Sequence, residues 1–591
     1  MISIFENDIK KRKDVLKKYN RAYDFIGIFK LIILAFIIYG AYRAYKNNYH
    51  IDLLILISVE ILIYITAHIF HKMALARVSL EEGLIQINEK NIKRITGEWC
   101  SFDDIGEEFI DNNHSYSTDL DIVGKKSIFQ MLNSSHTYYG RELFAKDLLN
   151  SKFTKDEIKK RQDSITELKD KYSFAAYMEY LFSIVGIDDS FPALIEELKD
   201  KEHFISNNFV KIFLRFLWIP TCSLLVYSIL FRYLIAFNMA SILLVVQTIL
   251  CIIGFNKARN YVGVMRKLPK KLFRYDRIIK EVMAADFESI RLKEIKDIIK
   301  SSQKALKELY SIANNVSQCK NGIAYIILNL FFLWDYKNAM NLDSWKQKYS
   351  ESVDIWFEAL GELESLISFS NLPRVCNNVS IPKFSERKNY IQAKYLGHPL
   401  INNNKRVCND FILDNNIYII SGSNMSGKTT FMRTMGINMV LAQAGSYVCA
   451  DNMSFSDMNV ITSMRIADDL NEGISTFYAE LKRIKMIIDN ARSNENTLFL
   501  IDEIFRGTNS VDRLKGAEGV LKELSASEVS GMITTHDLEV CKLENTYKNI
   551  INCSFSENYV NDEIFFDYKL KQGKSKTTNA EYLLKKLGIL T

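Results

Sequence analysis

Residues 419–430 read IISGSNMSGKTT and decide the fold of the C-terminal part of the chain. They contain the pattern GxxxxGKT, whose glycines let the backbone curl so that several N–H groups face one anion. Lys428 supplies a positive charge for the outer phosphates of a nucleotide, and the Thr429 hydroxyl can bind Mg²⁺. We therefore expect a nucleotide to be held by Gly422, Ser423, Asn424, Met425, Ser426, Gly427, Lys428, Thr429 and Thr430.

The segments on both sides of this loop have the character of a strand and a helix. Residues 417–420 form an apolar run typical of a buried strand. Residues 430–441 predict a helix whose positive N-terminal end completes the phosphate cradle. A Gly/Ser turn that fits the pattern by chance is the alternative. The flanking strand and helix, with an acidic strand downstream, argue against that alternative and indicate binding of ATP or GTP.

A second strand pattern, residues 496–503, is apolar until it ends in Asp502 and Glu503. Nucleotide hydrolysis needs one carboxylate that holds Mg²⁺ and another that orients and polarises the attacking water. We assign the metal role to Asp502 together with Thr429, and the catalytic role to Glu503. A carboxylate pair alone is weak evidence, because most such pairs lie on solvated surfaces. Its position at the end of a strand, after a phosphate loop, makes the assignment specific.

A third short strand, residues 531–535, leads into His536. A histidine at this point can donate a hydrogen bond to the terminal phosphate and respond to its presence. A lone histidine is more often structural. The order of phosphate loop, acidic pair and histidine on successive strands favours this sensor role, and we group His536 with the catalytic residues.

These motifs, in this order, resemble those of the MutS ATPases of DNA mismatch repair, which are relatives of the ABC transporter ATPases. The resemblance is dense from about His398 to the C terminus and fainter in the helical part before it. It rests on NM at 424–425, GSYV at 445–448, DDL at 468–470 with STF at 475–477, DEIFRGT at 502–508, HP at 398–399, DYKL at 567–570, and upstream segments 114–121, 126–133 and 360–368. It implies an ATP hydrolase that uses ATP and Mg²⁺.

The resemblance also implies a dimer and a role for Ser475. In MutS-like and ABC ATPases two nucleotide domains pack head to tail, and the serine of this signature reaches the terminal phosphate held by the other subunit. Ser475 is therefore expected to be a third catalytic residue, although the same stretch fits an ordinary helix N-cap. ABC transporters carry a Leu-Ser-Gly-Gly type signature, and none occurs between the phosphate loop and Asp502.

Length and composition describe the surroundings of this domain. A chain of 591 residues is too long for one domain and indicates about three. The net charge of +6 is compatible with nucleic acid or anionic lipid and is diagnostic of neither. Only 6 prolines among many Lys, Leu, Ile and Glu residues favour a helix-rich chain. The 9 cysteines lack the paired spacing of a metal site or disulfide framework, which fits a reducing cytosol.

Four apolar runs in the N-terminal half are long enough to span a bilayer, and we interpret them as two transmembrane hairpins. They are residues 25–42, 53–70, 213–231 and 235–255. Basic residues precede the first run and follow the fourth, so we expect a multi-pass protein of the inner or plasma membrane with both termini and the ATPase domain in the cytoplasm.

Two alternatives concern these runs. A cleaved signal peptide is the alternative for the first, but a second run follows at once and the charged segment before it is too long. Buried helices of a large soluble core are the alternative for all four, and Lys30, Glu60 and Arg215 keep that alternative open. Lys30 and Arg215 lie near the ends of runs, where a long side chain can reach water. Glu60 lies near the middle of the second run, where it should be protonated or face another helix.

The expected fold is an α/β P-loop ATPase domain of the ABC type at the C terminus, preceded by an all-α MutS-like core and lever region that transmembrane helices interrupt. Residues 274–316 have the spacing of a long amphipathic helix pair. The predicted domains are an N-terminal transmembrane hairpin (1–72), a first part of the helical core (73–208), a second transmembrane hairpin (209–256), a helical lever and second part of the core (257–395) and the ATPase domain (396–591).

The function we expect is a membrane-anchored MutS-family ATPase that binds and hydrolyses ATP as a homodimer, coupled to DNA in mismatch repair or recombination. No segment before residue 100 resembles the mismatch-reading domain of MutS, and no nuclease-like segment follows the ATPase domain. The alternative is an ATP-driven membrane-remodelling, transport-like or signalling machine that uses the same motor without DNA. DNA is the expected partner by family analogy alone, and the lipid bilayer is the other expected partner.

Overall fold

The computed structural model describes residues 2–46, 51–266, 268–318, 322–423, 425–465, 476–493, 496–505, 510–527, 529–560 and 563–575. Its N-terminal region is helical, and its C-terminal region holds mixed α/β sheets, in agreement with the predicted order of the two regions. Asn424 and Ser475 lie outside the described residues, as do the DDL stretch at 468–470 and the RGT stretch at 506–508.

The described helices of the N-terminal region follow one another with mostly short connections, apart from the long segment 97–127 between α2 and α3. They are α1 (Ile2–Lys46), α2 (Ile51–Thr96), α3 (Ile128–Leu132), α4 (Tyr138–Leu149), α5 (Lys155–Asp170), α6 (Tyr172–Val185), α7 (Phe191–Lys199), α8 (Asn208–Phe216), α9 (Trp218–Phe231), α10 (Leu234–Tyr261), α11 (Pro269–Ala284), α12 (Ile290–Gln318), α13 (Gly322–Phe332), α14 (Trp334–Tyr349), α15 (Val353–Phe369) and α16 (Leu372–Val375). The sequence sets several starts: Thr154 and Glu157 form a capping box before α5, and Pro269 opens α11. The predicted amphipathic pair is confirmed as α11 and α12.

Helices α1 and α2 form one long antiparallel hairpin. At the end away from its turn, Arg12 of α1 pairs with Glu81 of α2 at 3.1 Å, and Phe5 packs edge-on against Tyr172 of α6. Leu84 of α2 lies in the core of the helical region. Helix α2 continues without a break through residue 72, so the predicted boundary between 72 and 73 falls inside a helix.

Helices α8 and α9 lead to Arg232, which turns the chain into α10 with a left-handed φ of 51°. Among the described residues, 4 helical segments are long and apolar enough to cross a membrane by length and composition. They are Ile2–Lys46, Ile51–Thr96, Asn208–Phe231 and Leu234–Gly254, and each overlaps one of the four predicted runs. Their apolar side chains are largely exposed, for example Phe36, Leu62, Leu230 and Ile253.

The strands and the helices between them form the C-terminal region. They are β1 (Lys383–Phe384), β2 (Tyr390–Leu396), β3 (Asn409–Asp414), β4 (Ile417–Ser421), α17 (Lys428–Gln443), β5 (Asn452–Phe455), β6 (Asn459–Ser463), α18 (Thr476–Arg492), β7 (Thr497–Asp502), α19 (Ser510–Ala526), β8 (Ser530–Thr535), β9 (Ile550–Val560) and β10 (Glu563–Gln572). The predicted strands and helix around the phosphate loop are confirmed as β4, α17, β7 and β8.

These strands make two sheets. The larger has the order β10-β9-β4-β8-β7-β6, in which only the β10–β9 pair is antiparallel. The smaller has the order β1-β5-β2-β3. Because β2 pairs with β3 and β5, this sheet begins upstream of residue 396, where the predicted ATPase domain starts. Parallel neighbours bring the C-terminal ends of β4, β7 and β8 to one edge.

Helix α17 is buried along most of its length and joins the two regions. Its side chains share one hydrophobic cluster with the helical core, while α18 and α19 cover a second cluster on the larger sheet. The segment 114–121, one of the upstream segments that carry the MutS resemblance, contacts the ATPase region directly. Asp119 accepts hydrogen bonds from Thr462 Oγ1 at 2.7 Å and from Met464 N at 3.0 Å, and Arg433 of α17 pairs with Asp121 at 3.0 Å. The helical core therefore fixes the position of the helix that follows the phosphate loop.

Candidate active site

The phosphate loop connects β4 to α17 and turns at two glycines. Gly422 has a φ of 150°, and a Cβ at this position would lie 2.7 Å from the carbonyl oxygen of Phe555. The backbone of β9 therefore approaches the loop too closely for any larger residue. Gly427 has a φ of 104° and stands directly before Lys428, the first residue of α17. The loop lies between the strand end and the helix start, as its pattern predicts.

Lys428 is 5% exposed, and its side chain extends from the start of α17 back into the loop. Its Nζ donates hydrogen bonds to the carbonyl oxygens of Gly422 and Ser423, each at 2.8 Å. The hydroxyl oxygens of Ser423 and Ser426 are buried and have no hydrogen-bond partner among the described residues. A buried ammonium group and unused hydroxyl groups in one glycine-containing loop fit an anionic, oxygen-rich ligand such as a triphosphate.

Asp502 lies at the end of β7 and is 8% exposed. Thr429 Oγ1 donates toward both of its carboxylate oxygens at 3.1 Å, and Thr534 Oγ1 donates to Oδ1 at 2.6 Å. A carboxylate beside a threonine hydroxyl offers the hard oxygen ligands that Mg²⁺ prefers. Mg²⁺ sites of this kind use one or two protein oxygens together with substrate phosphates and water, so Thr429 and Asp502 fit the predicted metal role.

Glu503 follows Asp502 in a left-handed conformation, with a φ of 58°, which is uncommon for a residue other than glycine. Its N–H donates to Thr534 Oγ1 at 3.0 Å. Its carboxylate Oε1 contacts Nε2 of His536, and the same ring nitrogen lies 3.4 Å from Lys428 Nζ. Both side chains are partly exposed. The carboxylate and the imidazole thus lie together beside the phosphate loop, where water can reach them.

These groups surround a cavity of about 840 Å³. Its lining includes ten of the residues predicted from the sequence, namely Ser423, Met425, Ser426, Gly427, Lys428, Thr429, Thr430, Asp502, Glu503 and His536. Gly422 shapes the loop behind the cavity without lining it. The two remaining predicted site residues, Asn424 and Ser475, lie outside the described residues.

Other residues line this cavity that the sequence did not single out as site residues. They include His398, Lys405, Asn409, Phe555 and Tyr568. Burial lowers the pKa of His398 to about 3, so its imidazole is neutral. Tyr568 lies against Gly427, and its carbonyl accepts a hydrogen bond from Asn409 at 3.0 Å. His398 and Tyr568 belong to the HP and DYKL motifs, so the motifs marked these positions without giving them a role.

Comparison with known proteins places this site in a family context. Residues 418–584 match the family described as MutS domain V. MutS protein homolog 4 of Mus musculus is 32% identical over 234 residues, which cover 38% of this chain and 24% of that protein. The DNA mismatch repair protein MutS of Staphylococcus epidermidis is 32% identical over 247 residues, covering 40% of this chain and 28% of the relative.

A third relative gives the same result. The DNA mismatch repair protein MutS of Thermosipho melanesiensis is 29% identical over 285 residues, covering 47% of this chain and 33% of the relative. The matches therefore span between a quarter and a third of the length of these relatives. The comparisons support a relation of this chain to the MutS family, whose members are ATPases, through its C-terminal domain V region.

Proposed function

We propose that this protein binds and hydrolyses ATP in the cavity beside the phosphate loop. The observation that carries this proposal is the meeting of Lys428, Thr429, Asp502, Glu503 and His536 at one cavity, although they come from three separate strand ends. The likeness of residues 418–584 to MutS domain V supports ATP as the nucleotide.

Each group has a separate task in this reaction. Lys428 and the N–H groups of the loop bind the phosphates, and Thr429 with Asp502 would hold Mg²⁺, which neutralises charge on the phosphates when bound. Glu503 orients the attacking water and accepts its proton. His536, in contact with Glu503 and close to Lys428, is placed to donate a hydrogen bond to a phosphate oxygen.

Two substitutions test this assignment. We expect Glu503→Gln to retain ATP binding and to lower kcat by about 100-fold or more, because a neutral amide cannot accept the proton of the water. Lys428→Ala should lose both binding and turnover. The measurements are phosphate release and equilibrium ATP binding in detergent or nanodiscs. Glu539→Gln, an exposed residue paired with Lys542, is the matched control. A Glu503→Gln protein with the wild-type rate would exclude Glu503 from this role.

We further propose that the four apolar helical segments anchor the protein in a bilayer, with the ATPase region in the cytoplasm. Their length, their apolar composition and their exposed apolar side chains support this location. The basic residues before the first segment and after the fourth support the orientation. Resistance of the protein to extraction from membranes by alkaline carbonate would test the anchoring, and release of the intact chain by that treatment would contradict it.

The second hairpin is joined to the helical core by specific contacts. Lys211 of α8 pairs with the buried Asp343 of α14 at 2.9 Å, and the Tyr336 hydroxyl of α14 donates to the carbonyl of Leu250 in α10 at 3.0 Å. Helix α14 in turn contacts α12: Nε1 of Trp345 in α14 donates to the carbonyl of Ala305 in α12 at 2.8 Å. A displacement of α12 would therefore be passed to the second hairpin.

A second set of contacts joins α12 to α17, the helix that follows the phosphate loop, through α15, α4 and α5. Arg161 of α5 donates from Nε to the carbonyl of Ala444, just after α17, at 2.8 Å, and pairs with Asp147 of α4 at 2.6 Å. Ser365 of α15 also donates to Asp147 at 2.6 Å. Glu362 of α15 holds Arg291 of α12 through two hydrogen bonds of 2.7 and 2.6 Å. These contacts support a motor that moves the second hairpin when ATP binds.

DNA is the partner that the names of the relatives suggest, since two of them are DNA mismatch repair proteins. We propose coupling of ATP hydrolysis to DNA in repair or recombination, with a homodimer as the active form. The contacts of the second hairpin favour the other candidate, a machine that acts on the membrane itself. The ATPase rate in nanodiscs, with and without duplex, branched or mismatched DNA, distinguishes them: stimulation supports the DNA proposal, and an unchanged rate with every DNA supports the membrane one.

A further inference from the structure

Thr534 stands between the two acidic residues of the site. Strands β7 and β8 are parallel neighbours, and Asp502 lies directly opposite Thr534 in their register. The Thr534 hydroxyl donates to Asp502 Oδ1 at 2.6 Å and accepts a hydrogen bond from the backbone N–H of Glu503 at 3.0 Å. Its side chain is completely buried. One hydroxyl group therefore contacts the side chain of one acidic residue and the backbone of the other.

The chemistry of a hydroxyl group suits this double contact. A threonine hydroxyl has one hydrogen to donate, which goes to Asp502, and lone pairs that accept the N–H of Glu503. Glu503 leaves the strand in the left-handed region, a conformation that persists only where its surroundings hold it. The bond from its N–H to Thr534 is one such restraint, and it fixes the direction in which the Glu503 carboxylate leaves the backbone toward His536.

The two threonine hydroxyl groups that donate to Asp502 have different expected roles. Thr429 is the hydroxyl expected to bind Mg²⁺ together with Asp502, because it belongs to the phosphate loop. Thr534 lies behind Asp502, fully buried, and does not line the cavity. The Thr534 hydroxyl is therefore expected to stay hydrogen-bonded to the Asp502 carboxylate when nucleotide and Mg²⁺ are bound.

We propose that Thr534 is a positioning residue for ATP hydrolysis, which sets the carboxylate that holds Mg²⁺ and the backbone of the catalytic glutamate with one hydroxyl group. This inference rests on the proposed ATPase function. Under this inference, binding of the phosphates by the loop does not depend on Thr534. The positions of the Asp502 carboxylate, which holds the metal, and of the Glu503 carboxylate, which orients water, do depend on it.

The test compares three variants of the full chain in nanodiscs. Thr534→Val keeps the shape without the hydroxyl, and Thr534→Ser keeps the hydroxyl. Ser530→Ala is the control, because it removes another fully buried hydroxyl of β8 that donates to the carbonyl of Asn389, at the end of the strand away from the site. The measurements are kcat and KM for ATP, equilibrium ATP affinity with and without Mg²⁺, and the midpoint of thermal unfolding.

We expect Thr534→Val to lower kcat about 10- to 100-fold and to reduce the gain in ATP affinity that Mg²⁺ gives, while affinity without Mg²⁺ stays at the wild-type value. Thr534→Ser should restore both properties, and Ser530→Ala should leave both unchanged. The inference is overturned if Thr534→Val keeps the wild-type kcat and Mg²⁺ response, or if Thr534→Ser loses as much as Thr534→Val.

Three outcomes distinguish this inference from a purely structural role of Thr534 and from the proposed function. If Thr534→Val and Ser530→Ala lose activity and thermal stability equally, Thr534 is structural and the proposal fails. If the wild-type protein does not hydrolyse ATP, the proposed function fails, and this inference, which rests on it, fails as well. A wild type that hydrolyses ATP together with an unaffected Thr534→Val protein removes this inference alone.

Discussion

At the scale of single residues, a substitution at Gly422 tests whether the close approach of β9 shapes the phosphate loop. We expect Gly422→Ala to lower ATP affinity by at least about 10-fold and the free energy of unfolding by about 1–3 kcal/mol, because the added Cβ would lie 2.7 Å from the Phe555 carbonyl oxygen. Isothermal titration with ATP and thermal unfolding are the measurements.

Gly519→Ala is the control for this substitution. Gly519 lies inside α19, and among the described residues no atom beyond its chain neighbours and the nearby helix backbone lies within 4 Å of the added Cβ. Alanine should therefore raise helix stability by roughly 0.5–1 kcal/mol and leave ATP affinity unchanged. Equal ATP affinity in the Gly422→Ala and Gly519→Ala proteins would show that the approach of β9 does not shape the loop.

The sequence predicts those site residues that sit in local patterns. Lys428 begins α17, Asp502 ends β7 and His536 directly follows β8, and adjacent parallel strands bring such ends together. Phe555 and Tyr568 reach the cavity because β9 pairs with β4 and carries β10 with it, a pairing that chain spacing does not reveal. The double contact of Thr534 depends on strand register, which is also invisible in one sequence.

At the scale of helices, the contacts between α17, α5, α4 and α15 predict how the second hairpin responds to ATP. Labels at Arg232, in the turn of this hairpin in each subunit of a dimer, should change their separation when ATP binds. Arg161→Lys should reduce that change, because lysine cannot hold both the Ala444 carbonyl and Asp147. Pulsed electron spin resonance in nanodiscs measures the separation.

Lys159→Met is the control on the same helix, since Lys159 is exposed and its ion pair among the described residues is with Asp163, one helical turn away. It should leave the label distances at their wild-type values. A fixed separation through the whole nucleotide cycle in the wild type, with DNA stimulating hydrolysis, would make the hairpins passive anchors.

The sequence also predicts the positions of the apolar segments better than the lengths of their helices. The first apolar run begins at residue 25 and the second ends at residue 70, whereas α1 begins at Ile2 and α2 continues to Thr96. The additional turns are amphipathic and gain stability by packing on the core through Leu84 and Ile87. Tertiary packing of this kind leaves no hydropathy signal of membrane type.

At the scale of the whole molecule, the expected action of Ser475 across a dimer gives a complementation test. Ser475→Ala chains and Lys428→Ala chains should each be inactive. Random mixing of equal amounts makes half of the dimers mixed, and each mixed dimer retains one site with an intact loop from one subunit and Ser475 from the other. The mixture should therefore recover about a quarter of the wild-type rate. Mixtures that contain mixed dimers, detected with two affinity tags, and still release no phosphate would contradict action between subunits.

The continuous helices of the first hairpin have a consequence for how two copies meet. Helix α1 has 45 residues and is about 70 Å long, more than twice the thickness of the hydrocarbon layer of a bilayer. The N-terminal part of α1 contacts the core through Phe5, which packs on Tyr172, and contacts α2 through Arg12. Under the proposed anchoring, a continuous helix would therefore join the bilayer to the core. In a bilayer, two such molecules would drift in one plane with their cavities at equal height. Pairing would then cost less orientational entropy than it costs two freely tumbling proteins.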